Sequence, residues 1–122
     1  MSAEEYGEWC VNNFARMFET EYNGVWDPKA NQAEYAAFYV EPIQGTGGYV
    51  VPPRNFFPGL KKVLDKYGIF LVDDEVICGF GRTGNAFGCQ TYNYQPDSMS
   101  IAKALSSAYL PISGVLLSPE LV

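Results

Sequence analysis

A run of four apolar residues, Ile69-Phe70-Leu71-Val72, offers nothing polar to either side of a strand. A strand that is apolar on both faces belongs in a covered parallel sheet. Upstream, Ala36 to Val40 is a second apolar run, which ends in Glu41-Pro42 and leads into a loop punctuated by Gly and Pro, IQGTGGYVVPPR. Between the two runs, Pro58 suits the first turn of a helix whose Leu60, Val63, Leu64 and Tyr67 make one apolar face. Lys61, Lys62 and Lys66 lie outside it and Gly68 supplies the stop. Strand, helix, strand in this order predicts a parallel pair joined by a right-handed crossover, and with it an α/β class.

The flanking segments extend this unit. Ser2-Ala3-Glu4-Glu5 reads as a capping box, and Tyr6, Cys10, Phe14, Met17 and Phe18 follow at helical spacing, which predicts an amphipathic helix over residues 3–20. Residues 21–34, with YNGVWDPKANQ, read as a loop. Within the motif-bearing region 35–122, NAFGCQTYNYQP reads as an aromatic loop, Asp97 to Ile101 as a short strand, Ala102 to Ala108 as a helical turn and Ile112 to Leu117 as a last strand. About four strands with so few helices predict a sheet bare on both faces and at its edges. The 122 residues therefore read as a single partial domain, an obligate partner or a piece of a longer protein.

Composition removes several classes of function. With 8 basic and 14 acidic residues, a net charge of -6 gives nucleic acid and anionic membranes little to hold. Cys10, Cys78 and Cys89 lack Cys-x-x-Cys spacing and there is no histidine, so neither a metal site nor a disulfide framework is expected. A serine or cysteine nucleophile with a histidine base is impossible within these residues. MSAEEYGEWC has no basic patch or apolar core, and no segment is long enough to span a bilayer, so a soluble, cytoplasmic protein is expected.

The stretch VDDEVICGFGRTG, residues 72–84, poses the chemical question. A dinucleotide cradle needs its third glycine to open a helix, yet Gly84 leads into Asn85, Gly88 and a cluster of aromatic residues. The glycines read as turns. Asp73, Asp74 and Glu75 instead follow the apolar run, at the strand end where open α/β sheets hold ligands, although a solvated turn explains them as well. Lys103, in SMSIAKALSS, follows its own short strand among small residues. Neighbouring strands lie about 4.8 Å apart, so one flat heteroaromatic ring could touch both acid and lysine. That pair is the minimum apparatus for pyridoxal phosphate chemistry; the plain alternative for Lys103 is an exposed surface lysine.

Three stretches, VEPIQGTGG at 40–48, LVDDEVICGFGRTG at 71–84 and PDSMSIAKALSSAYLPISGV at 96–115, resemble in order and spacing the signature stretches of the class III aminotransferases. The resemblance extends over residues 36–122. It implies part of the mainly parallel-sheet large domain of a fold type I enzyme that uses pyridoxal 5'-phosphate. It makes Lys103 the Schiff-base lysine and Asp74 the acid on the pyridine nitrogen, 29 residues apart. Val76 would pack on the ring, Ile77 would lie near its hydroxyl, and Glu41 and Thr46 would face the substrate. Arg82 and glycines 79, 81 and 84 would form a loop supporting the site.

Two departures bear on substrate. Thr46 stands where many glutamate-using members carry an acid, and Ile77 where many carry Gln, a combination similar to the amine or omega-amino acid:pyruvate branch. The resemblance thus implies a primary amine or omega-amino acid as donor, a keto acid such as pyruvate as acceptor, and a homodimer. Racemases, aminomutases and a decarboxylase share these signatures, and a non-catalytic fragment is the remaining alternative. The family's upstream phosphate site and its smaller domain have no counterpart in these residues.

Overall fold

A computed structural model describes residues 1–19 and 24–122. The first helix, α1 (Ala3–Glu19), opens with the expected capping box: the Ser2 amide donates to Glu5 Oε2 at 2.6 Å and the Glu5 amide to Ser2 Oγ at 3.1 Å. Position 20 of the expected helix lies outside the described residues. The buried stripe of α1 differs from the expected one. Gly7 and Phe18 are buried and Phe14 partly so, whereas Tyr6 and Met17 are turned outward. The cause is a close approach. A Cβ on Gly7 would collide with Asn55 Oδ1, and one on Gly59 would come within 2.9 Å of Val11 Cγ2. Two glycines thus let α1 settle on the following helix and decide which way its apolar residues point.

Residues 21–34, expected as a loop, contain two short strands, β1 (Trp26–Asp27) and β2 (Gln32–Ala33), paired antiparallel. Asp27 Oδ1 closes the turn between them by accepting the amides of Lys29 and Ala30 at 2.8 and 3.2 Å. Positions 21–23 lie outside the described residues.

Next come β3 (Ala37–Val40), α2 (Phe56–Tyr67) and β4 (Phe70–Asp74), and the two strands pair in parallel with Ala37 opposite Phe70 and Val40 opposite Asp73. Leu60 and Leu64 of α2 are fully buried, and Gly68 ends the helix at φ +67°, with the Ile69 amide returning to Leu64 O at 3.0 Å. β4 outruns its apolar stretch by two acids, because Asp73 and Asp74 pair with Met99 and Ser100 of the next sheet strand. A one-turn helix, α3 (Gly88–Thr91), interrupts the aromatic stretch expected to be loop. The Glu75 carboxylate holds its start, accepting the Cys89 amide at 2.8 Å. β5 (Ser98–Ile101) and β6 (Gly114–Leu117) finish a sheet of order β3-β4-β5-β6, in which β6 alone runs antiparallel to its neighbour.

The pleat gives this sheet two unlike faces. Phe38, Val40, Leu71 and Met99 point into a core with Phe18, Phe57, Leu60, Leu64, Tyr92 and Tyr94. On the other face Tyr39, Phe70, Val115 and Leu117 are exposed. The expectation of two bare faces is therefore corrected: α1 and α2 cover one of them. No helix among the described residues is long and apolar enough to cross a membrane.

Candidate active site

β3, β4 and β5 are parallel, so their carboxyl ends share one edge of the sheet, and there Glu41, Asp74 and Lys103 are found. Alternation along β4 separates its two acids. Asp73 points to the helical core and is fully buried; Asp74 points to the open face and is half-buried. Asp74 Oδ1 accepts the Val76 amide at 3.1 Å, and Oδ2 accepts from the Tyr39 hydroxyl at 3.3 Å. That hydroxyl lies 2.9 Å from Ser100 Oγ. One side-chain chain thus links β3, β4 and β5 across the open face.

Lys103 opens a 3-10 turn, Lys103–Leu105, immediately after β5. Its backbone is left-handed at φ +44°, a conformation that costs a non-glycine residue about 1–2 kcal/mol. The exposed side chain borders a cleft of about 560 Å³ shared with Arg82, Ser106, Leu110 and Ile112. Acid and lysine therefore stand at the ends of adjacent parallel strands, with Ser100 opposite Asp74 and Lys103 three residues further along. A flat ring carrying both an aldehyde and a ring nitrogen would need an amine and an acid placed in this way, on neighbouring strand ends.

The other expected residues gather at one loop. Glu41 Oε2 accepts the Gly45 amide at 2.9 Å, and a Cβ on Gly45 would collide with Ile77 Cδ1. Glu41 and Ile77 thus meet at Gly45, with the exposed Thr46 next to it. Arg82 Nε donates to Ile77 O at 2.9 Å and ties the glycine-rich loop to the same place. In that loop Gly81 and Gly84 adopt φ of +95° and +92°, and the chain continues into turns instead of a helix. The glycines turn the backbone; they do not cradle a pyrophosphate.

Behind Asp74 lies a group of residues that sequence reasoning left without a role. Asp73 and Glu75 are both fully buried, close to Cys89 and Tyr94. Neither Asp73 oxygen, nor Glu75 Oε2, nor the Tyr94 hydroxyl completes a hydrogen bond. Burial first, and then the neighbouring Glu75 carboxylate, push Asp73 up to about 8, while the Tyr94 phenol pulls the other way. Burial, with Asp73 and Glu75 adding to it, pushes the Cys89 thiol up to about 12 and raises the Tyr94 phenol as well. One ligand atom from each of Asp73, Glu75 and Cys89 lies within 4.8 Å of the others, but a cation there would have to displace the protons that Asp73 and Cys89 hold strongly. The signal for this group was the alternation of β4 read together with Tyr94. It needed the strand's true end, two residues past Val72.

Comparison with known proteins adds a family. The model of the family described as aminotransferase class-III matches residues 7–122. The chain is 43% identical over its full length to a putrescine--pyruvate aminotransferase of Pseudomonas aeruginosa, covering 25% of that protein. It is 55% identical over 117 residues, 96% of the chain and 21% of the relative, to gamma aminobutyrate transaminase 3, chloroplastic, of Solanum lycopersicum. Among solved structures, an (S)-enantioselective omega-transaminase from Thermomicrobium roseum superposes with a TM-score of 0.85 at 42% identity, over 99% of this chain and 25% of that one. The chain spans about a quarter of the length of these relatives.

Proposed function

Because the chain belongs to the class III aminotransferases, whose members use pyridoxal phosphate, we propose that it is the central segment of an enzyme that moves an amino group from a primary amine or omega-amino acid to a keto acid such as pyruvate. The observation that carries this reading is the placement of Asp74 and Lys103 at the carboxyl ends of adjacent parallel strands beside an open face. When bound, pyridoxal phosphate supplies an electron-withdrawing pyridinium ring. Asp74, held at Oδ1 by the Val76 amide, would keep the proton on the ring nitrogen. Lys103 Nζ would hold the cofactor at its aldehyde carbon and would move a proton at the substrate's amine-bearing carbon. Val76 would pack on the ring and Ile77 would lie near its hydroxyl, while Glu41 and Thr46 would face the substrate.

The amine-and-pyruvate preference draws support from uncharged Thr46 and apolar Ile77, and from the putrescine and pyruvate named for one relative. In this reading residues 1–122 are one partial domain, completed by further chain and by a second copy in a homodimer. The cytoplasm is the proposed compartment, consistent with three unpaired cysteines; relatives named chloroplastic and mitochondrial make cell fractionation the test.

At full family length, a purified protein should form ketone or aldehyde from a primary amine only when pyruvate is present. Lys103→Ala should abolish both turnover and the absorbance of bound pyridoxal phosphate. Racemisation without a keto acid would replace the transaminase with another member of the family. An intact dimer with no cofactor absorbance would overturn the site and leave a non-catalytic module.

A further inference from the structure

The open face holds one polar device that the proposed chemistry has not used. Tyr39 sits on β3 opposite Val72, so its phenol leans along the sheet to reach Asp74, two residues on in the neighbouring strand. Its ring is 60% exposed and adds little to the core. Its hydroxyl carries one proton and meets two partners, Asp74 Oδ2 at 3.3 Å and Ser100 Oγ at 2.9 Å. Tyr39 donates to Asp74 Oδ2, which uses its one proton, so the pattern that satisfies all three groups runs one way: Ser100 donates to Tyr39 and Tyr39 donates to Asp74.

A carboxylate held by the Val76 amide alone could still turn about its Cβ–Cγ bond. A second donor on the other oxygen fixes its plane. Oδ2 keeps a further lone pair, and the plane decides where that lone pair points. We propose that Tyr39 is a positioning residue, which, braced by Ser100, fixes the Asp74 carboxylate so that its free lone pair meets a heteroaromatic ring nitrogen on the open face. This inference rests on Asp74 as the ring-nitrogen acid. Removing the Tyr39 hydroxyl buries no orphaned group, so the fold should be untouched and the effect should appear only at the ring.

The test uses the holoenzyme at full family length, loaded with pyridoxal phosphate labelled with ¹⁵N in its ring. Tyr39→Phe and Ser100→Ala should each move the ring ¹⁵N resonance in the direction that Asp74→Asn moves it, by a smaller amount, with unchanged thermal melts. Each should speed cofactor dissociation about fivefold and lower kcat about as much, with KM for the amine held. The double variant should be no worse than Tyr39→Phe alone, because the two side chains act as one unit. An unmoved resonance in Tyr39→Phe, with Asp74→Asn shifting it, would overturn the role of Tyr39 and leave that of Asp74 standing. A resonance indifferent to Asp74→Asn would overturn both.

Discussion

On the helical face of the sheet Leu71 and Asp73 are wholly buried, whereas on the open face Tyr39 and Val115 keep 60% and 64% of their surface exposed. The difference is sharpest within one dipeptide. Asp73 shares a closed interior with Glu75, Cys89 and Tyr94, and burial favours its protonated form. Asp74, one residue on, finds donors at both oxygens and faces outward. Two identical side chains thus receive opposite surroundings from the pleat: burial favours the protonated form of one, and the other is turned toward the open face where a ligand can reach it.

The largest effect should come from the open side. In a full-length enzyme Lys103→Ala is expected to lower turnover roughly 10³–10⁴-fold while circular dichroism stays unchanged. Residual activity within tenfold of wild type would remove Lys103 from the chemistry. The helical side should answer in stability instead. Leu64→Ala, at a position with no exposed surface, is expected to cost about 2–5 kcal/mol, against less than about 0.5 kcal/mol for Val115→Ala, both read by urea unfolding of this chain. Equal costs would mean that the two faces are equally covered in solution.

The two aspartates permit a closer contrast. Asp74→Asn should cost roughly 10²-fold in turnover with little change in stability. Asp73→Asn should do the reverse, keeping turnover within about threefold and changing the pH dependence of stability. Unfolded, an aspartate titrates near its ordinary 3.8; folded, Asp73 is pushed up to about 8. Below pH 4 both states hold the proton, and the carboxyl carries no penalty. Between these values the native state alone holds it, so stability falls as pH rises, by at most about 1.4 kcal/mol per pH unit, until the folded group ionises near pH 8. Asp73→Asn should flatten this slope, so that its gain over wild type, none at pH 4, grows with pH to at most about 6 kcal/mol at pH 8. Parallel stability curves for wild type and variant would show that Asp73 ionises normally.

Much of this arrangement was legible locally. The period of Leu60, Val63, Leu64 and Tyr67 with Gly68 behind it marks α2, and the acids behind an apolar run mark a strand end. What escaped depends on partners distant in sequence. α3 is held by Glu75, 14 residues before Cys89, and α1 takes its orientation from Gly7 and Gly59 meeting Asn55 and Val11. β1 and β2 are two residues each, too short for alternation to register. At the candidate site, Asp74 and Lys103 stand out through motifs, but Tyr39 lies 35 positions from the acid it touches. Only the register of β3 on β4 brings it there.

The smallest expected effect separates the backbone of Lys103 from its side chain. At φ +44° the residue occupies a region that disfavours any Cβ, and Ser107 and Ala108, just after its 3-10 turn, are left-handed as well. Lys103→Ala removes the amine and keeps the Cβ; Lys103→Gly removes both. Relief of about 1–2 kcal/mol of left-handed strain, less the extra chain entropy that glycine loses on folding, should make Lys103→Gly more stable than Lys103→Ala by about 0.5–1 kcal/mol. Both variants should be equally inactive. Such a gap would mean that the turn tolerates strain in order to aim the lysine, since the residue that suits the backbone best is one that cannot do the chemistry. If Lys103→Gly were instead the less stable of the two by thermal melt, the turn would gain from its Cβ, and the strain at Lys103 would have no part in presenting the amine.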